Sequence, residues 1–200
     1  MMVEIAGSDL FLPISLSLIA FGSFGWGLRG HFVTTGRIPH GMRLLSIASL
    51  ASYLTFVGLL FWHGCEAAVW TTLGSVGIAS SIALFWWTVT KTRLHRLRLA
   101  YTDADPDTIN TEGPYAYIRH PFYLSYISFW IGTALIAGAW QWVAALGLAL
   151  WYVHIARGEE KRFQSSAFAL AYYNYRQRTG MLLPRLALDI KGGRPGRSQQ

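Results

Sequence analysis

Residues 121–156 read PFYLSYISFWIGTALIAGAWQWVAALGLALWYVHIA and contain no Asp, Glu, Lys or Arg. As a single helix this stretch would be roughly 54 Å long, whereas the hydrocarbon core of a bilayer is about 30 Å thick. Folding back near Gly138, a residue type that tolerates a tight backbone, gives two helices of roughly 27 Å each. We therefore predict a helical hairpin that crosses a membrane twice.

Three further stretches lack these charged residues, namely 10–28, 44–65 and 67–90. Each has the length of one crossing, which takes about 20 apolar residues. Only 14% of all residues are charged and 52% are hydrophobic, whereas soluble domains carry about 25% charged residues. The sequence predicts an all-α integral membrane helical bundle with five transmembrane helices, of which the last two form a tight hairpin.

The distribution of basic residues predicts the orientation. With five crossings, segments 29–43, 91–120 and 157–200 fall on one side of the membrane and carry all 17 Lys and Arg residues. The positive-inside rule places that side in the cytoplasm and the N-terminus on the opposite side. Anionic membrane lipids account for the basic charge, and we expect no nucleic-acid partner.

The chain divides into a three-helix transmembrane region over 1–98, a loop, hairpin and C-terminal helix over 99–190, and a disordered tail over 191–200. Apolar residues at helical spacing predict a cytoplasmic amphipathic helix over 157–178, with Gly180 at its end. The oligomeric state does not follow from the sequence.

Two polar clusters bracket the hairpin. GPYAYIRHPFY occupies 113–123, and a pair of glutamates follows the exit. Because the hairpin is antiparallel, Arg119, His120, Glu159 and Glu160 should meet at one mouth, where ionisable groups are candidates for function. Taken singly, Arg119 or Glu159 is more simply an interface residue that reaches lipid phosphate or a partner charge. Two adjacent glutamates, however, require a cation across from them.

This combination resembles the isoprenylcysteine carboxyl methyltransferase family, whose superfamily also includes phospholipid N-methyltransferases. The matching features are Gly-Pro-Tyr-x-Tyr-x-Arg-His-Pro-x-Tyr at 113–123, the apolar hairpin, and the Glu-Glu pair at 159–160. The resemblance covers residues 110–184. Members often have Gly soon after the motif tyrosine, where this chain has Leu124 and Ser125.

The resemblance implies an S-adenosylmethionine-dependent methyltransferase whose acceptor is a lipophilic small molecule or lipid, with the donor bound by the 99–190 region. Arg119 suits the donor carboxylate, and Glu159 and Glu160 suit its ammonium or ribose hydroxyls. His120 would be a hydrogen-bonding partner or a base. The implied catalytic residues are Arg119, His120 and Glu160. The implied donor-binding residues are Tyr115, Arg119, His120, Pro121, Tyr123, Glu159, Glu160, Tyr172 and Tyr175. Direct displacement at carbon requires no metal ion.

Two other functions compete with this interpretation. Steroid-reductase-like membrane proteins, which use a nicotinamide cofactor, carry a similar Arg-His-Pro-x-Tyr segment. The glutamate pair argues against them, since a cofactor with several phosphates would favour cations. A small transport subunit would have polar residues spread through its spans, whereas here they gather at one face.

Overall fold

The computed structural model describes residues 7–31, 39–93 and 109–185. All regular secondary structure in these ranges is helical, apart from one isolated backbone bridge. The six α-helices are α1 Gly7–Trp26, α2 His40–His63, α3 Ala68–Thr92, α4 Pro121–Ala137, α5 Ala139–Ser165 and α6 Ala169–Arg178. A π-helical turn, Gly27–His31, follows α1, and a 3-10 turn, Gly113–Ala116, precedes α4. The prediction of an all-α fold is confirmed, and the predicted tail lies outside the described residues.

Within the described ranges, three helical segments are long and apolar enough to cross a membrane: Leu10–Arg29, His40–His63 and Ala68–Thr92. Of the two hairpin helices, α4 has 17 residues and α5 has 27. Large apolar side chains point outwards, with Trp62 82% and Leu150 71% exposed. Apolar surface of this kind is typical of a membrane contact. The count of five crossings stays a prediction.

The structure confirms the helical hairpin, whereas its two membrane crossings stay a prediction. Pro121 occupies the first turn of α4, where its missing N–H costs nothing, and His120 is the N-cap residue. At the other end Gly138 has φ 80 and ψ −154, and its N–H donates to the carbonyl of Ala134 at 2.9 Å. A positive φ favours glycine, and a Cβ at this position would also overlap the Glu66 carboxylate. The chain therefore reverses within one residue and enters α5.

The turn between α2 and α3 lies against the turn of the hairpin. The backbone N–H of Glu66 donates to the carbonyl of Ile136 at 2.9 Å. These turns therefore share one end of the bundle, and the charged ends of the hairpin lie at the other end, as alternating helices require.

Helices α3 and α4 pack closely at small residues. A Cβ on Gly74 would lie 2.5 Å from the carbonyl oxygen of Gly132, which means that the two backbones nearly touch. Gly22 and Gly25 of α1 do not serve this purpose. Their Cβ positions face open space instead. The close approach of two helix backbones that these glycines mark is between α3 and α4, and it fixes where the start of α4 lies.

The prediction of one separate helix over 157–178 is wrong. Helix α5 runs from Ala139 without a break to Ser165, and α6 covers only Ala169–Arg178. The backbone becomes extended at Ser166. The charged residues from Arg157 onwards end the apolar stretch. Arg, Lys and Glu are nevertheless good helix formers, so the helix continues through them. Glu159 and Glu160 are consequently held on a continuous rigid helix.

Candidate functional site at the mouth of the hairpin

The start of α4 and the far part of α5 meet as the sequence predicts. The Nε of Arg119 donates to Oε1 of Glu160 at 2.7 Å, across 41 positions of sequence. Both side chains are nearly buried, with 7% and 8% exposure. A charge-assisted contact of this length, shielded from water, is much stronger than a surface ion pair. We call the group formed by Arg119, His120, Tyr123, Glu159 and Glu160 the hairpin mouth.

His120 lies between the two glutamates. Its Nδ1 is 3.6 Å from Oε2 of Glu159, and its Nε2 is 3.4 Å from Oε1 of Glu160. Nε2 is buried and makes no hydrogen bond within the described part of the chain. The imidazole stacks on the ring of Tyr123, with ring centroids 5.5 Å apart. A buried nitrogen that lies near a carboxylate but makes no hydrogen bond is uncommon in a folded protein, and a ligand or a water molecule could complete its bonding.

The two glutamates differ in their electrostatics. Burial opposes the ionisation of Glu160, but the contacts with His120 and Arg119 outweigh it and hold the pKa of Glu160 at about 2. Burial raises the pKa of Glu159, and this rise is only partly offset by His120 and the hydrogen bond from Tyr123. The Glu159 side chain also keeps 28% of its surface exposed. An incoming cation would therefore bind most favourably at Glu159, because Glu160 is already paired with Arg119.

Aromatic side chains connect the mouth to the apolar interior. The hydroxyl of Tyr123 donates to Oε1 of Glu159 at 2.7 Å. Its ring stacks on Tyr152 of α5, with centroids 5.8 Å apart, and Tyr152 contacts Tyr126 at 5.3 Å. This row of rings leads from the charged groups into the apolar interior of the bundle.

Helix α6 brings two further predicted residues to the same end of the bundle. Tyr172 is buried and stacks on Phe163, with centroids 4.7 Å apart. The hydroxyl of Tyr175 donates to the backbone carbonyl of Tyr115 at 2.7 Å. Burial raises the pKa of Tyr115, Tyr172 and Tyr175. The hydroxyls of these three residues consequently remain protonated at neutral pH and can donate hydrogen bonds.

The predicted residues thus form two layers. Contacts between side chains join Arg119, His120, Tyr123, Glu159 and Glu160 in the mouth itself. The second layer consists of Tyr115, Tyr172 and Tyr175, which pack behind it. Pro121 is buried and begins α4, which makes it part of the scaffold that aims His120.

Three neighbouring residues were not predicted. Arg176 on α6 has its Nε 3.9 Å from Oε2 of Glu160 and is 46% exposed. Thr179 and Gly180 follow α6 and contact the 117–120 segment through backbone atoms. Arg176 could have been suspected because it lies one residue after Tyr175, which the family resemblance implies as a donor-binding residue. Backbone pairing leaves no side-chain pattern, so no sequence signal marks Thr179, and Gly180 was predicted only as the end of a helix.

Comparisons with known proteins agree with this geometry. A family model described as phospholipid methyltransferase matches residues 69–171, from the start of α3 into α6. This range is more than half of the chain and contains the whole hairpin mouth.

Two curated bacterial proteins are similar in sequence. The cobalt-zinc-cadmium resistance protein CzcN of Cupriavidus metallidurans is 31% identical over 145 residues, covering 68% of this chain and 62% of that protein. Methanethiol S-methyltransferase 1 of Bradyrhizobium diazoefficiens is 27% identical over 156 residues, covering 67% of this chain and 54% of that enzyme. The chain therefore spans less than two thirds of either relative.

A solved structure shares the fold. It is that of the eukaryotic intramembrane Ras methyltransferase ICMT, an isoprenylcysteine carboxyl methyltransferase, with a TM-score of 0.57 and 20% identity. The match covers 91% of this chain and 67% of the other. At this level of identity the similarity establishes the architecture.

Proposed function

This chain belongs to the phospholipid methyltransferase family, and from that premise we propose that it is an integral membrane, S-adenosylmethionine-dependent methyltransferase. Its acceptor is a lipophilic or membrane-partitioned molecule. One observation carries the proposal. Arg119, His120, Glu159 and Glu160 converge at the charged end of an apolar hairpin, where Glu159 stays partly exposed and Nε2 of His120 has no hydrogen bond.

The residues of the mouth fit the chemistry of the donor. S-adenosylmethionine carries an ammonium, a sulfonium, a carboxylate, a ribose diol and an adenine. Glu159 can accept from the ammonium or from a ribose hydroxyl. Nε2 of His120 makes no hydrogen bond within the described residues and can bond a second polar group. Arg119 can offer the carboxylate the guanidinium donors that Glu160 and the backbone carbonyl of Thr179 leave unused. The rings of Tyr123 and Tyr172 already stack on neighbouring rings, so they support the mouth from behind.

When bound, S-adenosylmethionine supplies a methyl group on a sulfonium, ready for direct displacement by the acceptor. The chain contributes mainly position, and effective molarity from good alignment accounts for much of the acceleration of such reactions. Arg119 and Glu160 keep the two ends of the hairpin in register. Glu159 and His120 provide hydrogen-bonding groups of fixed geometry, and His120 can receive a proton from an acceptor that loses one.

The acceptor reaches the mouth from the membrane. Apolar side chains cover the outer faces of the bundle. The stacked rings of Tyr152 and Tyr123 extend this apolar surface to the charged groups. The positive-inside rule supports a cytoplasmic mouth and an N-terminus on the opposite side. A carboxylate, amine or thiol on a hydrophobic molecule suits this arrangement. The glutamate pair disfavours a nicotinamide cofactor with several phosphates.

Transfer of a labelled methyl group tests the proposal. Purified protein in detergent would be incubated with methyl-labelled S-adenosylmethionine and a lipid extract of the host, and label in the organic phase would be counted. We expect incorporation by the native chain and about a hundredfold less by Glu159→Ala, the loss expected when a charged hydrogen bond disappears. No incorporation by a folded native chain, or equal incorporation by both, contradicts the proposal.

A further inference from the structure

The segment that follows α6 pairs with the segment that precedes α4. The N–H of Arg119 donates to the carbonyl of Gly180 at 2.9 Å, and the N–H of His120 donates to the carbonyl of Met181 at 3.1 Å. In return, the N–H of Gly180 donates to the carbonyl of Tyr117 at 3.1 Å. Two of these three backbone hydrogen bonds hold residues of the hairpin mouth directly, and the third holds the neighbouring Tyr117. We call Thr179, Gly180 and Met181 the C-terminal latch.

The side chain of Arg119 reinforces this pairing. Its Nη1 donates to the carbonyl of Thr179 and, at 3.5 Å, contacts the carbonyl of Arg176, while Nε binds Glu160. Thr179 is only 2% exposed, and its carbonyl accepts a charged donor away from water. The guanidinium of Arg119 therefore connects three segments: the entry to α4, the far part of α5, and the latch.

Gly180 is required at its position for a steric reason. A Cβ there would overlap the carbonyl oxygen of Leu183, because the chain folds back sharply after the latch. The atom in the way belongs to the backbone and cannot rotate aside as a side chain does. Any other residue at 180 must displace either this turn or the hydrogen bonds with Tyr117 and Arg119.

We propose that the C-terminal latch positions the hairpin mouth, with Gly180 as the positioning residue. The latch fixes the backbone of Arg119 and His120 and so aims the imidazole between Glu159 and Glu160. It acts without touching the reacting groups. The expected effect on donor binding rests on the proposed function. The pairing of the latch with the hairpin mouth can be measured without any donor.

Gly180→Ala tests the latch, with Gly147→Ala as its matched control. Gly147 lies on α5, and a Cβ there meets nothing within 4 Å. The first measurement is hydrogen–deuterium exchange of the donor-free proteins in detergent. We expect the amides of Arg119, His120 and Gly180 to be protected together in the native chain and in Gly147→Ala. In Gly180→Ala they should exchange at least tenfold faster, while the amides of α3 and α4 keep their protection.

The second measurement is the affinity for S-adenosylmethionine. Gly180→Ala should bind about tenfold more weakly than Gly147→Ala, a change that corresponds to roughly 1.4 kcal/mol. Donor binding equal within twofold in the two variants overturns the positioning role. If Gly180→Ala does not fold, the native chain still decides the matter, since exchange at Arg119 and His120 as fast as in an open loop overturns the latch. Failure of the native, latched protein to bind the donor at all would instead refute the proposed function.

Discussion

Replacing Glu160 and Glu159 separately by Gln should have opposite consequences for stability. Contacts with His120 and Arg119 depress the pKa of Glu160 from 4.5 to about 2 despite burial. A depressed pKa contributes stability that is fully present above pH about 4.5 and is lost as the pH falls towards 2. For Glu159 the sign is reversed. Burial raises its pKa, and ionisation of this residue costs stability as the pH rises above about 4.5.

The magnitude for Glu160 follows from the size of its shift. A pKa lowered to about 2 corresponds to about 3 kcal/mol at neutral pH, and the 8% exposure of the side chain leaves little screening by water. For a chain of this length, Glu160→Gln should lower the melting temperature by roughly 6–12 °C at pH 7. Glu159→Gln should leave it unchanged or raise it, because the amide oxygen can still accept from Tyr123.

Thermal melting in detergent at several pH values provides the assay. The difference in melting temperature between the native chain and Glu160→Gln should be constant down to pH about 4.5 and should become smaller at lower pH. Equal losses in the two variants, or a gap that widens as the pH falls, would refute the assignment of Glu160 as the paired carboxylate and Glu159 as the available one.

Three further outcomes are expected. In a double-mutant cycle of initial methyl-transfer rates, Arg119→Ala combined with Glu160→Ala should lose less activity than the sum of the two single losses. The difference should exceed about 0.5 kcal/mol, and strict additivity would show that the two residues act separately. Gly74→Ala should destabilise the bundle by about 1–3 kcal/mol in thermal melts, whereas Gly58→Ala, whose Cβ meets open space, should not; equal melts contradict close packing of α3 and α4. Reporter fusions after residues 66, 110 and 200 should report an external position and then two cytoplasmic ones; a cytoplasmic signal at 66 contradicts five crossings.

The hairpin and its mouth were predictable because physical limits on length leave few choices. A charge-free stretch longer than one crossing must reverse, and Gly138 is where a positive φ is cheapest. Reversal then brings Arg119 to Glu160, although 41 positions separate them in sequence. The different environments of Glu159 and Glu160 could not be predicted, since adjacent residues on a helix point about 100° apart and only packing decides which is buried.

The C-terminal region was predicted less well for two reasons. Charges after Ala156 indicate where the apolar stretch ends, but a helix can continue beyond it, and α5 does so to Ser165. The latch depends on backbone atoms of Thr179, Gly180 and Met181, whose pairing gives no periodic pattern of side chains. Gly180 was expected only to close a helix, whereas its lack of a Cβ permits the fold-back onto Leu183.

Titration of the purified protein with S-adenosylmethionine, followed by calorimetry, tests the central claim most directly. The native chain should bind the donor at one site per chain and should not bind a nicotinamide dinucleotide. Glu159→Ala should weaken binding about ten- to a hundredfold while the protein stays folded, because the most accessible carboxylate of the hairpin mouth is removed. Donor affinity unchanged in Glu159→Ala, or no donor binding by a folded native chain, would contradict the assignment of the hairpin mouth as the methyl-donor site.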